Sequence, residues 1–242
     1  MMKQEQIREE AGGTVLSLAS LPATVDTRWF EPDFWRARGA LRAQAGGRGG
    51  VAVVDTPAGT GVLRHYRRGG LVARFNRDRY LWTGASRTRS FAEFRLLAHA
   101  VALGLPAPQP LAACYRRHGL FYTADLITRQ IAGAQTLAQC LATGRLDADL
   151  ARETGALVAR FHREGIRHAD LNAHNVLVTA EALYLIDFDR GELRAPGEGW
   201  RLANLSRLHR SLRKLGGAER IPDFEAAIWQ PLLYGYERTM GA

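Results

Sequence analysis

Asp170 and Asn175 stand five residues apart on a short polar segment, His168-Ala169-Asp170-Leu171-Asn172-Ala173-His174-Asn175, and Asp187 follows an apolar run 17 residues after the first aspartate. Two carboxylates and an amide at these separations suit transfer of a phosphoryl group to a hydroxyl. Such a reaction needs little covalent help; it needs reactants held in place and phosphate charge neutralised. A carboxylate on a rigid loop can accept a hydrogen bond from the attacking hydroxyl, the role expected of Asp170. Asn175 and Asp187 can hold Mg²⁺ together, because magnesium takes hard oxygen ligands and usually only one or two from the protein. Taken singly, each of the three also reads as a turn residue or strand-end cap.

The order of the motifs adds weight. The segment fits the kinase catalytic-loop pattern H-R-D-L-x-x-x-N at its His, Asp, Leu and Asn, and Ile186-Asp187-Phe188-Asp189 stands where kinases carry D-F-G. A cation is then needed at the α- and β-phosphates. Both lysines, Lys3 and Lys214, lie far outside the strand region, whereas Gly61-Val62-Leu63-Arg64 fits V-A-I-K with arginine in the last place. Arg64 is therefore the expected cation, with Arg67 next in line. Arginine keeps its charge and offers a planar fork of donors, though it is not interchangeable with lysine. Glu93, on the following helix, would be its partner; it also reads as a solvated residue pairing with Arg89 or Arg95. Gly47, Gly49 and Gly50, in Gly46-Gly47-Arg48-Gly49-Gly50, could cover phosphates with their amides, although a flexible connector explains them as well. Adenine is expected against the backbone near Leu126–Thr128.

The elements that must position these residues can be outlined. Residues 1–28 give no periodic signal and read as an N-terminal extension lying loosely on the body. A helix is expected from Pro32 through Leu41 and Arg42, ended by Gly46 and Gly47. Strands are expected at Val51–Asp55, Gly61–Tyr66, Leu111–Arg116 and Leu120–Leu126, with a helix at Thr88–Leu103. Beyond residue 128 the pattern turns helical, at Leu137–Thr143, Asp149–Arg163, Trp200–Leu215 and Pro222–Tyr236. Only the short strands Val176–Thr179 and Leu183–Ile186 interrupt it. Strands with one helix, followed by a helical half, make an α+β layout with a ligand cleft expected between 29–127 and 128–242. A single α+β domain with a long insertion is the alternative.

Composition narrows the partners. Of 242 residues, 33 are Lys or Arg against 24 Asp or Glu, a net charge of +9, which favours a polyanionic partner or simply keeps the chain soluble. No nucleic-acid recognition motif accompanies the charge, so nucleic acid is not expected. Cys114 and Cys140 lack metal-ligand spacing and read as buried thiols. No stretch is apolar and long enough to span a bilayer. The helix at 200–215 carries Leu202, Leu205, Leu208, Leu212 and Leu215 on one stripe, with Arg201, Arg207, Arg210, Arg213 and Lys214 around it. It reads either as a core helix with a solvated face or, with Arg67 and Arg68, as a surface for anionic lipid or lipid phosphates.

These motifs, with Leu63-Arg64-His65-Tyr66-Arg67-Arg68-Gly69-Gly70-Leu71, Thr88-Arg89, Glu93-Phe94 and Gly104-Leu105-Pro106, resemble the lipopolysaccharide kinase branch of the protein-kinase-like superfamily over roughly residues 28–215. Within it the chain is most similar to members acting on 3-deoxy-D-manno-octulosonic acid (Kdo). The resemblance implies a bilobal fold, an antiparallel-sheet N-lobe and a helical C-lobe with ATP in the cleft. It implies ATP- and Mg²⁺-dependent phosphorylation of the Kdo 4-hydroxyl on a lipid A precursor, at the cytoplasmic face of the inner membrane as a peripheral protein. Another sugar kinase of this fold, an antibiotic phosphotransferase, or a pseudokinase without activity are the competing readings. Ala169 replaces the arginine that reads activation-loop phosphorylation, and the segment from Asp189 to Trp200 is too short for a peptide platform. A protein substrate is therefore not expected.

Overall fold

The structure, a computed structural model, describes residues 5–45, 50–67 and 78–241. Gly47, Gly49, Arg68 and the rest of the 68–77 segment lie outside the described residues. The chain divides into two compact units, one of residues up to His99 with Pro108–Gln130, the other of Ala100–Ala107 with Ile131 onward.

The first unit contains β1 (Glu5–Glu10), β2 (Gly13–Leu18), α1 (Pro32–Arg36), β3 (Leu41–Ala45), β4 (Val51–Thr56), β5 (Gly59–His65), β6 (Tyr80–Leu81), most of α2 (Arg89–Ala102), β7 (Pro110–His118) and β8 (Phe121–Arg129). Its strands form one antiparallel sheet in the order β1-β2-β7-β8-β5-β4-β3, with β6 also paired to β8. On β5, Arg64 sits opposite Val51 of β4 and Leu126 of β8. Strand alternation sends Arg64 and Tyr66 to one face and Leu63 and His65 to the other. Helix α2 covers the Arg64 face with Phe91, Phe94 and Leu97, all buried, and Ser90 Oγ donates to the Cys114 carbonyl at 2.8 Å. Trp29, Phe30 and Trp35 cover the other face, packed with Leu63, Cys114 and Ile127.

Two expectations fail here. From residue 5 onward the N-terminal extension is not loose: β1 pairs with β2, β2 pairs with β7, and Val15 and Leu16 are fully buried. With both faces covered, the strand reads as a short apolar run without alternation. A Cβ on Gly13 would sit 2.6 Å from the Tyr115 carbonyl, at φ +146, so only glycine can start this strand. The helix expected to run past Leu41 stops at Arg36. Gly39 takes a left-handed conformation, φ 65, and the Ala40 amide donates back to the Trp35 carbonyl at 2.9 Å. The chain then leaves as β3.

The second unit contains β9 (Gln135–Thr136), α3 (Leu137–Ala142), α4 (Ala148–Arg163), β10 (Ile166–Arg167), β11 (Val176–Val178), β12 (Leu183–Leu185), β13 (Glu192–Leu193), α5 (Glu198–Lys214), α6 (Gly217–Arg220) and α7 (Gln230–Gly241). β11 and β12 form a hairpin, and β13 returns beside β10. Helices α4 and α7 approach through glycines: a Cβ on Gly155 would lie 1.9 Å from the Leu232 carbonyl, and one on Gly235 2.1 Å from that of Arg152. The helix expected at 222–236 begins as a π turn, Glu225–Trp229, and runs on as α7. Leu202 leaves the expected stripe of α5, being 59% exposed, and buried Asn204 joins Leu205, Leu208 and Leu212 instead.

Among the described residues, no helix is long and apolar enough to cross a membrane. Both cysteines are buried free thiols, and burial pushes the Cys114 thiol up to about 12.

Candidate active site

In the second unit the polar loop runs between β10 and β11, and its residues are tied to one another before anything else touches them. The Asn175 side-chain amide donates to the Asp170 carbonyl at 2.9 Å, and the Asn172 amide donates to the same carbonyl at 3.0 Å. The Ile186 N–H donates to the Asn175 carbonyl at 3.0 Å. This bond places Asn175 beside the end of the β11–β12 hairpin, where Asp187 begins the next turn. Asp187 is half-buried with φ 61. Aspartate visits this left-handed region more readily than most residues, and non-glycine residues held there concentrate at functional sites.

His168 braces the loop to the hairpin. Its Nδ1 accepts the Asp170 N–H at 3.2 Å and its Nε2–H donates to the Ile186 carbonyl at 2.8 Å. Burial lowers its pKa, so the neutral ring that satisfies both bonds is favoured. Phe188 packs at a tilt against this histidine, ring centres 4.7 Å apart, and stacks on Phe161 of α4 at 5.4 Å. The phenylalanine of Asp187-Phe188-Asp189 thus anchors the turn in the core while leaving Asp187 outside it.

Asn204 of α5 carries a second brace. Its Nδ2 donates to the His168 carbonyl at 2.9 Å, while its Oδ1 accepts the His168 N–H at 3.2 Å and His162 Nε2–H at 3.3 Å. Tyr236 donates to His162 Nδ1 at 2.9 Å. Burial drives the His162 pKa down to about 4, which keeps this network neutral. Seven residues along α5, Ser211 Oγ accepts the Ala173 N–H at 3.1 Å. Between these two fastenings Arg207 donates to Asp170 Oδ1 at 2.6 Å.

In the first unit, Arg64 and Glu93 are in contact, and Tyr66 donates to the same Glu93 oxygen at 2.6 Å. The Arg64 guanidinium also lies 4.6 Å from the Tyr66 ring centre. Glu93 is 3% exposed. The alternative partners are engaged elsewhere: Arg95 pairs with Glu5 at 2.8 Å and Arg89 lies over Tyr80 at 4.5 Å. Gly50 stands at the entry to β4 and lines a pocket of about 390 Å³ with His65, Arg67, Asp78, Arg116 and Asp125. There His65 Nδ1–H donates to Asp125 Oδ1 at 2.7 Å, which raises the histidine's pKa.

The structure therefore brings Asp170, Asn175 and Asp187 together on one loop and hairpin, and Arg64 and Glu93 together on β5 and α2. Asn204 and the contact of Arg207 with Asp170 are absent from the sequence reading. A signal for Asn204 existed, a lone amide on a leucine stripe; none marks a contact between residues 37 positions apart.

The family described as "Lipopolysaccharide kinase (Kdo/WaaP) family" matches residues 32–236. A 3-deoxy-D-manno-octulosonic acid kinase of Xanthomonas axonopodis pv. citri (strain 306) is 53% identical over 193 residues, 79% of this chain and 77% of that protein. One of Xylella fastidiosa (strain M23) is 44% identical over 230 residues, 95% of this chain and 91% of that one. Among solved structures, WaaP in complex with acyl carrier protein aligns with a TM-score of 0.56 at 17% identity, covering 87% of this chain and 85% of that one. An aminoglycoside-3'-phosphotransferase of type VIII aligns at 0.55 and 16% identity, covering 83% and 86%. The fold is protein-kinase-like, and the chain belongs to the lipopolysaccharide kinase (Kdo/WaaP) family.

Proposed function

We propose that the protein transfers the γ-phosphoryl group of ATP to the 4-hydroxyl of the Kdo sugar on a Kdo-bearing lipid A precursor. The observation that carries this reading is the bonding of Asn175 to Asp170 and to Ile186, which sets one carboxylate and two oxygen donors on a single braced frame. Asp170 accepts the hydroxyl proton as the new oxygen–phosphorus bond forms and the bond to the leaving ADP breaks. The donor set fits magnesium: the Asn175 nitrogen is turned to Asp170, so its Oδ1 faces away as a ligand, and Asp187 supplies the carboxylate. When bound there, Mg²⁺ would neutralise phosphate charge. Arg64, held by Glu93 and near Tyr66, contacts the α- and β-phosphates. Gly50, with Gly47 and Gly49, supplies amides to the phosphates in the same reading.

In this reading the enzyme works at the cytoplasmic face of the inner membrane as a peripheral protein. The positive charge of the chain supports attraction to an anionic surface.

The test is transfer of labelled phosphate from ATP-Mg²⁺ to Kdo-bearing lipid A precursor, with Asp170→Ala alongside. Label on the lipid with the wild type alone supports both acceptor and base. Full activity in the variant removes Asp170 from its role, and label passing only to a heptose-bearing acceptor moves the substrate.

A further inference from the structure

Helix α5 does more than support the loop. Asn204 and Ser211 fasten it to His168 and Ala173, so its rotation against the loop is set at two points, two turns apart. At 100° per residue, Arg207, Arg210 and Lys214 fall on the flank next to those fastenings, with Ala203 one turn before Arg207. All four are exposed. The cations therefore form a row about 10 Å long, from the rise of the helix, and its first member touches Asp170. Among the described residues, neither Arg210 nor Lys214 meets a carboxylate within ion-pair distance. Solubility alone would place such charges on any exposed turn. It would not set one of them on the carboxylate expected to receive the proton.

We infer that Arg207 is an anion-reading residue for the acceptor, binding the sugar's carboxylate while holding Asp170, and that Arg210 and Lys214 extend the row toward further acidic groups of the same molecule. The inference rests on the proposed reaction and deepens it. A guanidinium has five N–H donors in a fixed fork, and one Arg207 nitrogen engages Asp170 Oδ1. The remaining donors can take a carboxylate in the two-pronged manner arginine favours. A 2-keto sugar acid carries that carboxylate and its ring hydroxyls on one rigid body, so gripping the acid orients a hydroxyl toward the second oxygen of Asp170. A neutral hexose would leave Arg207 with Asp170 alone and lose this orientation.

The experiment compares two acceptors: Kdo-bearing lipid A precursor and the same lipid with the Kdo carboxylate converted to its methyl ester. The wild type should show kcat/KM lower for the ester by about 10- to 100-fold, the range for losing a charge-assisted hydrogen-bonded pair. In Arg207→Gln the two acceptors should converge to within about threefold on the same basis, with the KM for ATP unchanged. Arg207→Lys should keep part of the preference, since it retains the charge without the fork. Equal use of both acceptors by the wild type overturns the inference and leaves the reaction standing. A preference kept in Arg207→Gln, or one matched by an equal rise in the KM for ATP, overturns it too. No transfer to either acceptor by the wild type sinks the proposed reaction and the inference together.

Discussion

Two ion pairs stand at the candidate functional residues, one in each unit, and they are built on opposite terms. Glu93 and Arg64 have side chains 2% and 22% exposed, and Glu93 is shared with the Tyr66 hydroxyl. Asp170 and Arg207 have side chains 55% and 48% exposed. Removing one member of a buried pair strands the other charge, whereas an exposed pair contributes roughly 0–1 kcal/mol. The first pair is therefore part of what holds its unit together. The second contributes little to stability and is free to exchange partners. The contrast suits the proposed roles, since a carboxylate that receives a hydroxyl has to be reachable and a cation that orients phosphates has to stay still.

The sharpest way to break that contrast is to delete each acid in turn. Asp170→Ala should lower transfer by about 10²- to 10⁴-fold, the usual span for a lost general base. Its melting temperature should stay within a few degrees of the wild type, and its nucleotide binding should remain. A large fall in melting temperature would mean that Asp170 supports the fold after all. Glu93→Ala should do the reverse in stability, lowering it by about 3 kcal/mol, the low end for breaking a buried pair because Arg64 keeps some contact with water. At roughly 2–4 °C per kcal/mol for a chain of this size, calorimetry will resolve the shift. Glu93→Gln, which can still accept from Arg64 and Tyr66, should recover part of it.

Asn204 tests whether the exposed pair depends on a buried support. Asn204→Ala removes the acceptor shared by His168 N–H and His162 Nε2–H, and leaving such groups unpaired costs about 1–3 kcal/mol. The loop should also lose its register against α5. Turnover is then expected to fall further than the loss of folded protein explains, with the KM for ATP little changed. A variant that loses stability but keeps its turnover per folded molecule would separate α5 from the chemistry.

What could be read beforehand follows the reach of each interaction. The placement of Asp170, Asn175 and Asp187 on one loop and hairpin is legible because the motif fixes their types within 18 residues of chain, and a hairpin between them is a local event. Arg64 and Glu93 lie 29 positions apart, and the pattern of a known kinase strand was needed to join them; the structure adds their contact and the Tyr66 hydroxyl. The row on α5 was visible as charge, but its attachment to Asp170 was not, because that depends on Asn204 and Ser211 fixing how the helix is turned. Val15 and Leu16 escaped for a different reason. A strand buried on both faces lacks the alternation by which strands are recognised. The helix read past Leu41 shows the converse error, where apolar residues at helical spacing continue across a left-handed glycine turn.

The smallest effect expected is in the response to acid, and here the two regions should move in opposite directions. His65 of β5 is held by Asp125, which raises its pKa above the ordinary 6.5. Its contribution is complete below about 6.5 and fades as pH rises through the raised value. His162 is pushed by burial down to about 4, and burial lowers His168 as well. Their neutral forms suit the native state, so their contribution is complete above 6.5 and is lost as pH falls toward the lowered values. Acidifying from pH 7.5 to 5.5 should remove about 1 kcal/mol through His162 alone, from the one-unit drop below 6.5. Over the same interval His65 gains. Amide exchange resolved by residue can see both at once. Protection should decline around His162, His168 and Asn204 while holding or rising around His65 and Asp125. Uniform loss across both units would mean that these histidines do not govern the response, and His162→Gln would then show the same slope as the wild type.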